Sequence, residues 1–181
     1  RGASVHLVAG PTAVPPPAVS TLTRVRSAAE MHAAMMAASR EADAVIMSAA
    51  VADYTPAGGA SSAKIEKGGA VTLTLERTAD ILADLGKARG EAAMPVLVGF
   101  AAETGPAEAR ASAKLKRKAV DLIVANDVTA AGAGFDVETN QVTLVSAAGN
   151  VALPLMSKAD VAAAILDRVE ALLAAVPAVR A

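Results

Sequence analysis

Three lysines and an arginine fall within five residues at Lys114-Leu115-Lys116-Arg117-Lys118. Lys114 and Lys118 are four apart, so on a helix their ammonium groups share one face and can close on the same polyphosphate. Cations at a helix C-terminus also offset the helix dipole, and both readings stand at this point. A second candidate is Ser48-Ala49-Ala50-Val51-Ala52-Asp53-Tyr54-Thr55-Pro56, directly after an apolar run. Small residues there let a flat ligand lie against the backbone, and Asp53 offers a carboxylate to a sugar hydroxyl or a magnesium ion. An aspartate that caps a turn would look the same. Thr78-Ala79-Asp80-Ile81-Leu82 reads as a helix start whose N–H groups attract an anion, or as a helix simply capped by Thr78 or Asp80. Asp80 would repel a bare phosphate but suits one that arrives with magnesium. Residues 58–69 are bounded by glycines. They read either as a flap that carries Lys64 over a phosphate or as a solvated charged loop.

Little other chemistry is legible. His6 and His32 are isolated, and structural roles suit both. No metal-ligand spacing, Ser-His-Asp set, paired catalytic carboxylates, complete Walker loop or Gly-x-Gly-x-x-Gly can be read. Cysteine is absent. That removes disulfides, thiolate zinc sites and a cysteine nucleophile, and it fits a reducing compartment. The formal charge of −1 gives no bulk attraction to nucleic acid or membrane. Arg1-Gly2-Ala3-Ser4 is not a signal peptide, and no apolar run approaches the ~20 residues of a membrane span. A soluble, cytoplasmic protein with neither nucleic-acid nor membrane partner is expected.

The elements that must position the candidates follow from the apolar runs. Val5-His6-Leu7-Val8-Ala9 and Ala44-Val45-Ile46-Met47 read as buried strands. Pro95-Val96-Leu97-Val98-Gly99-Phe100 and Asp121-Leu122-Ile123-Val124-Ala125 share their continuous apolarity, which a parallel sheet covered on both faces requires. Ala-rich helical stretches cover about residues 27–40, 80–89, 107–118 and 157–175. Strand and helix alternate, which predicts a doubly wound α/β sheet with ligands beyond the carboxyl ends of its strands. Val71-Thr72-Leu73-Thr74-Leu75-Glu76 alternates, and residues 141–146 with 151–155 read as a hairpin turned at Ala148-Gly149-Asn150. Both are expected as antiparallel additions near an edge. At 181 residues one domain is expected, with a core of aliphatic side chains since the chain has one Tyr, two Phe and no Trp. Arg1-Gly2-Ala3 reads as the tail of a helix, so the expectation is a single domain over 1–181 that lacks a first strand-loop-helix unit.

In order, these segments resemble the phosphopantothenate–cysteine ligase (phosphopantothenoylcysteine synthetase) domain of bacterial coenzyme A biosynthesis. The resemblance runs through Val8-Ala9-Gly10-Pro11, Ala28-Ala29-Glu30-Met31, Ala49-Ala50-Val51-Ala52-Asp53-Tyr54 and Lys64-Ile65-Glu66-Lys67. It continues through Ala79-Asp80-Ile81-Leu82, Gly99-Phe100-Ala101-Ala102-Glu103-Thr104, the lysine cluster and Asp121-Leu122-Ile123-Val124-Ala125-Asn126-Asp127-Val128. It implies a Rossmann-like three-layer sandwich with a mostly parallel sheet plus a C-terminal antiparallel hairpin. It also implies a Mg2+-dependent reaction of CTP, 4′-phosphopantothenate and L-cysteine through an acyl-cytidylate, carried out by a homodimer. By the family pattern, Met47, Ser48, Ala49 and Asp53 line the nucleotide, and Ala79, Asp80, Ile81, Leu82 and Phe100 complete its pocket. Lys64, Lys114 and Lys118 are the basic contacts, with Lys64 the catalytic one. Asp53 or Asp80 is the candidate to meet the magnesium.

The sequence departs from the pattern where the flap carries Glu66 instead of a further basic residue. By the resemblance, the family's N-terminal unit, with a glycine-containing loop and an asparagine used in the acyl-cytidylate steps, is expected before Arg1. In many bacteria that unit follows a decarboxylase domain that holds FMN, and nothing in this chain resembles one. Two other readings remain: a non-catalytic nucleotide-binding or dimerisation module, and an NAD(P)-dependent oxidoreductase. The latter calls for a glycine fingerprint and a Tyr/Lys pair, whereas Tyr54 has no lysine four residues on.

Overall fold

The computed structural model describes residues 1–59, 68, 70, 72–103, 107–127 and 137–176, with backbone only at 103, 107–109 and 127. In chain order the elements are β1 (His6–Ala9), β2 (Thr21–Arg24), α1 (Ala28–Ala38), β3 (Ala44–Met47), β4 (Tyr54–Pro56), β5 (Leu75–Arg77) and α2 (Ile81–Arg89). There follow β6 (Val96–Glu103), α3 (Ala107–Lys118), β7 (Leu122–Asp127), β8 (Thr139–Asn140), β9 (Val142–Ser146), β10 (Gly149–Ala152), β11 (Met156–Ser157) and α4 (Lys158–Ala175). They fall into two compact units, Arg1–Met35 with Ala50–Asp80, and Met36–Ala49 with Ile81–Ala181.

The second unit is built on a five-stranded sheet in the order β10-β9-β7-β6-β3. β3, β6 and β7 are parallel, and β9 and β10 extend the sheet antiparallel, as the hairpin reading expects. Side chains alternate between faces along each strand. Val96, Val98, Leu122, Val124, Val142 and Leu144 therefore form one face, closed by Val161, Ile165 and Val169 of α4. Those three recur every four residues, the stripe a helix needs to seal a sheet. Ser157 caps α4 by accepting the Asp160 N–H at 3.1 Å. Leu97, Gly99, Ile123 and Val145 alternate onto the opposite face, where α2 packs on β6 and α3 packs on β7 and β9. Three layers result.

The opposite face depends on missing side chains. A Cβ at Gly99 would overlap Leu82 of α2, and a Cβ at Gly86 would overlap the Lys118 carbonyl oxygen at the end of α3. α3 ends in a Schellman motif, with Ala119 N–H donating to Lys116 O and Val120 N–H to Leu115 O, both at 3.2 Å. Its left-handed residue is Ala119 at φ 50°, where glycine is the usual choice. Arg89, at the last turn of α2, clamps this joint. Its Nη2 donates to Ala119 O at 2.7 Å, and its Nη1 donates to Pro95 O at 3.1 Å and to the Asp121 carboxylate. Asp121 also accepts the Leu97 N–H at 2.7 Å, so β6 and β7 are fixed at their amino ends by one ion pair.

In the first unit, β1 and β2 pair in parallel and β4 and β5 antiparallel. Glu30 accepts the Arg26 N–H at 2.7 Å and Ser27 accepts the Glu30 N–H at 3.1 Å, which caps the start of α1. Met31 lies over Gly10, 3.6 Å from where a Cβ would stand. His6 shares a 2.8 Å hydrogen bond with Thr23, the structural role expected of it.

Several expectations are corrected. β1 is not a buried strand: His6 is exposed and the rest half-buried, because its described partner is the short β2 and not the large sheet. β2 was not legible, since its four residues follow a proline-rich connection and most are exposed. The alternating run at 71–76 yields a strand only at Leu75–Arg77, and Val71 lies outside the described residues. The hairpin turns at Ala147 and Ala148 and not over Ala148-Gly149-Asn150, because Gly149, at φ 127°, and Asn150 already pair with Ser146 and Val145.

Exchanging glycine and alanine at the α2–α3 joint should give opposite results. Helix propensity alone makes Gly86→Ala stabilising by about 1 kcal/mol; the overlap with backbone should reverse the sign, for a net loss of about 1–3 kcal/mol. Ala119→Gly should stabilise by about 1 kcal/mol, because it relieves a left-handed alanine. Urea unfolding at constant slope measures both; a rise in midpoint for Gly86→Ala would refute the packing described.

Candidate functional site

Parallel strands present their carboxyl ends along one edge of the sheet, and three of the expected residues follow directly from β3. Met47 pairs with Gly99, and Ser48 and Ala49 continue beyond it, exposed. Phe100 is the next residue of β6, half-buried against the core that α4 covers. Alternation puts Met47 and Phe100 on opposite faces, and Phe100 lies within β6, three residues before its end at Glu103, so the two do not share a surface. Gly99 was not among the expected contacts, although a glycine inside a strand signals close approach by something else. Here that neighbour is Leu82.

Leu82 and its neighbour Ile81 are buried. Their side chains belong to the core, so what they can offer a ligand is backbone: first-turn N–H groups that have no acceptor within the helix. α2 runs antiparallel to β6, since Leu82 lies at the level of Gly99 while Arg89 reaches Pro95. Its N-terminus therefore sits at the level where β3 ends, midway along β6, and its dipole favours an anion there.

Lys114 and Lys118 share one side of α3, both half-buried while Lys116 and Arg117 are exposed. The clamp at Ala119 fixes Lys118 toward the amino end of β7, away from the edge that carries Met47 and Phe100. Lys114 lies one turn, roughly 5–6 Å, back toward that edge. The structure thus brings the two lysines together on one helix side and does not bring Lys118 to the strand ends. Helix-end electrostatics account for part of the cluster.

The first unit holds Asp53, Ala79 and Asp80, all exposed. Asp53 precedes β4, and Thr78 follows β5 as the next rung of the same ladder. The Thr78 N–H donates to Asp53 O at 3.0 Å and its hydroxyl donates to Ala52 O at 2.6 Å. Thr78 is therefore not the cap of α2: it stands three residues before Ile81 and its hydroxyl proton goes to the Asp53 loop. Asp80 occupies the position next to the helix. Lys64, Lys67 and most of the expected flap lie outside the described residues. Among the described residues no group of three or more His, Asp or Glu is placed to hold a metal, and no helix is long and apolar enough to cross a membrane.

The segments that carry the family resemblance thus have physical reasons beside any chemical ones. Gly10 with Met31, the Glu30 cap and Gly99 with Leu82 are packing and capping devices. Comparison with known proteins bears on what they support together. The chain is 44% identical over 173 residues to the coenzyme A biosynthesis bifunctional protein CoaBC of Bacillus subtilis (strain 168), covering 94% of this chain and 42% of that protein. It is 43% identical over 171 residues to a cysteine/cysteine sulfinic acid decarboxylase of an unknown prokaryotic organism, covering 93% of this chain and 47% of the relative. It therefore spans less than half the length of these curated relatives. Among solved structures, the C-terminal domain of CoaBC matches with a TM-score of 0.76 and 40% identity, over 96% of this chain and 78% of that one. The match to the family extends over residues 1–173, and the chain belongs to the DNA/pantothenate metabolism flavoprotein C-terminal domain family.

Proposed function

We propose that this chain is a phosphopantothenate–cysteine ligase domain that uses CTP. The observation that carries the reading is the 40% identity and shared fold, over nearly the whole chain, with the C-terminal domain of CoaBC. In the proposed reaction a carboxylate oxygen of 4′-phosphopantothenate attacks the α-phosphorus of CTP. The bond to the β-phosphate oxygen breaks and pyrophosphate leaves, giving an acyl-cytidylate. The amine of L-cysteine then attacks the acyl carbon, the bond to CMP breaks, and the amine gives up its proton as the amide forms.

Both substrates of the first step are anions, so the protein's work is to hold them together and to stabilise charge at phosphorus. Met47, Ser48, Ala49 and Phe100 are proposed to line the nucleotide from the carboxyl edge, with the α2 N-terminus at Ile81 and Leu82 donating N–H groups to a phosphate. Asp53, Ala79 and Asp80 are proposed as further nucleotide contacts, and Lys64, Lys114 and Lys118 as cationic ones. Magnesium bound with the triphosphate would neutralise charge on the departing pyrophosphate. Such an ion takes one or two carboxylates plus substrate phosphates, a role the exposed Asp53 and Asp80 fit. A homodimer, a cytoplasmic setting and a partner decarboxylase half holding FMN belong to the same proposal; the relatives' name, a bifunctional protein, supports the last.

The second curated relative favours a different reading, decarboxylation of a cysteine-derived acid. One experiment separates the two. Full-length protein is incubated with 4′-phosphopantothenate and CTP without cysteine, and the mass of the acyl-cytidylate is sought; a parallel sample receives cysteine sulfinate and no nucleotide. Acyl-cytidylate in the first sample is expected. Its absence, with carbon dioxide released in the second, would overturn the ligase reading. The double variant Lys114→Gln/Lys118→Gln should weaken CTP binding by about ten-fold or more, through loss of charge-assisted contacts. Unchanged affinity by calorimetry would reduce the cluster to helix-end electrostatics.

A further inference from the structure

We infer that Thr78 is a positioning residue for nucleotide binding, acting through the peptide that carries Asp53. The inference rests on the proposed role of Asp53. In the β4–β5 ladder Tyr54 pairs with Arg77, Thr55 with Glu76 and Pro56 with Leu75. Asp53 and Thr78 continue that register, and the Thr78 N–H donates to Asp53 O at 3.0 Å. Any residue but proline could supply that bond. The second bond is specific to a hydroxyl: Thr78 Oγ1 donates to Ala52 O at 2.6 Å.

Together the two bonds hold the carbonyls on both sides of the Asp53 N–Cα unit. With both neighbouring peptide planes fixed, the Asp53 backbone dihedrals are fixed, and with them the direction in which the carboxylate leaves the chain. Asp53 itself is exposed, and packing does little to hold it. Thr78 also leads straight into Ala79 and Asp80, so one residue ties the expected Asp53 contact to the expected contacts that follow it. A ligand that needs both segments in fixed relation binds a loop already ordered, and avoids the entropy of ordering it.

The test compares Thr78→Val, which keeps shape and branching but loses the donor, with Thr78→Ser, which keeps the donor, and with Asp53→Asn, all in the full-length protein. Calorimetric CTP affinity and steady-state constants are measured. Thr78→Val should weaken CTP binding and raise its KM about three- to ten-fold, the worth of one hydrogen bond. Its kcat and its KM for cysteine should stay near the parent values, and Thr78→Ser should restore CTP affinity to within about two-fold. A merely structural threonine would instead lower the melting temperature and disturb all constants together, which would overturn the inference. Parent-like CTP affinity in Thr78→Val beside a weakened Asp53→Asn would overturn the role of Thr78 alone. If Asp53→Asn itself binds CTP as the parent does, the nucleotide role of Asp53 and the inference built on it both fall.

Discussion

The joint where α2 meets the end of α3 is the constraint on which the larger unit depends. Gly86 has no side chain, so the terminal carbonyl of α3 lies directly against α2. Arg89 then binds the next carbonyl, Ala119 O, the Pro95 carbonyl before β6 and the Asp121 carboxylate before β7. The arginine side chain is only 9% exposed, and its Nε has no partner among the described residues. Burying a cation is costly, and a buried ion pair is weak support for stability by itself. What this one contributes is geometry. It holds two strand starts and a helix end in one register, and with them the antiparallel course of α2 along β6.

That geometry divides the candidate residues. Met47, Ser48 and Ala49 stand at the carboxyl end of β3, the side on which α/β sheets bind ligands, whereas Phe100 lies within β6 and the first turn of α2 at the level of Gly99. Lys118 is held at the other end of α3 by the same clamp, with Lys114 one turn nearer. In the proposed function, long and flexible ammonium side chains suit the extended, charged part of the nucleotide more than its base, and the backbone donors at Ile81 and Leu82 suit a phosphate. In the other unit, the exposed Asp53 is ordered by hydrogen bonds from Thr78 and not by burial.

Much of this was legible residue by residue. β3 was read with its observed bounds, and so was α3, because both are short, uniform in character and bounded by turn or polar residues. α4 was read within one residue of its observed bounds, as an Ala-rich stretch at about residues 157–175. β2 was not legible: a four-residue, largely exposed strand has no apolar signature. The hairpin turn was misplaced because Gly149 and Asn150 were read as turn residues, when both, Gly149 with a φ of 127°, already stand inside the ladder. Whether Thr78 or Asp80 caps the helix was left open by the sequence, because either residue suits that position; only the pairing of β4 with β5 shows where the Thr78 hydroxyl goes.

The sequence by itself determined the alternation of strand and helix, the aliphatic core and the ordered segments that place the chain in its family. These are properties of side-chain type and spacing along the chain, and local physics suffices to read them. Tertiary structure decided which residue of each segment faces what. Leu82 and Ile81 became core, Gly86 came to face the terminal carbonyl of α3 and Gly99 the Leu82 side chain, and Lys118 came to be held away from the strand ends. None of that is encoded in spacing, because it depends on residues from separate segments, such as Arg89 and Asp121, meeting in space.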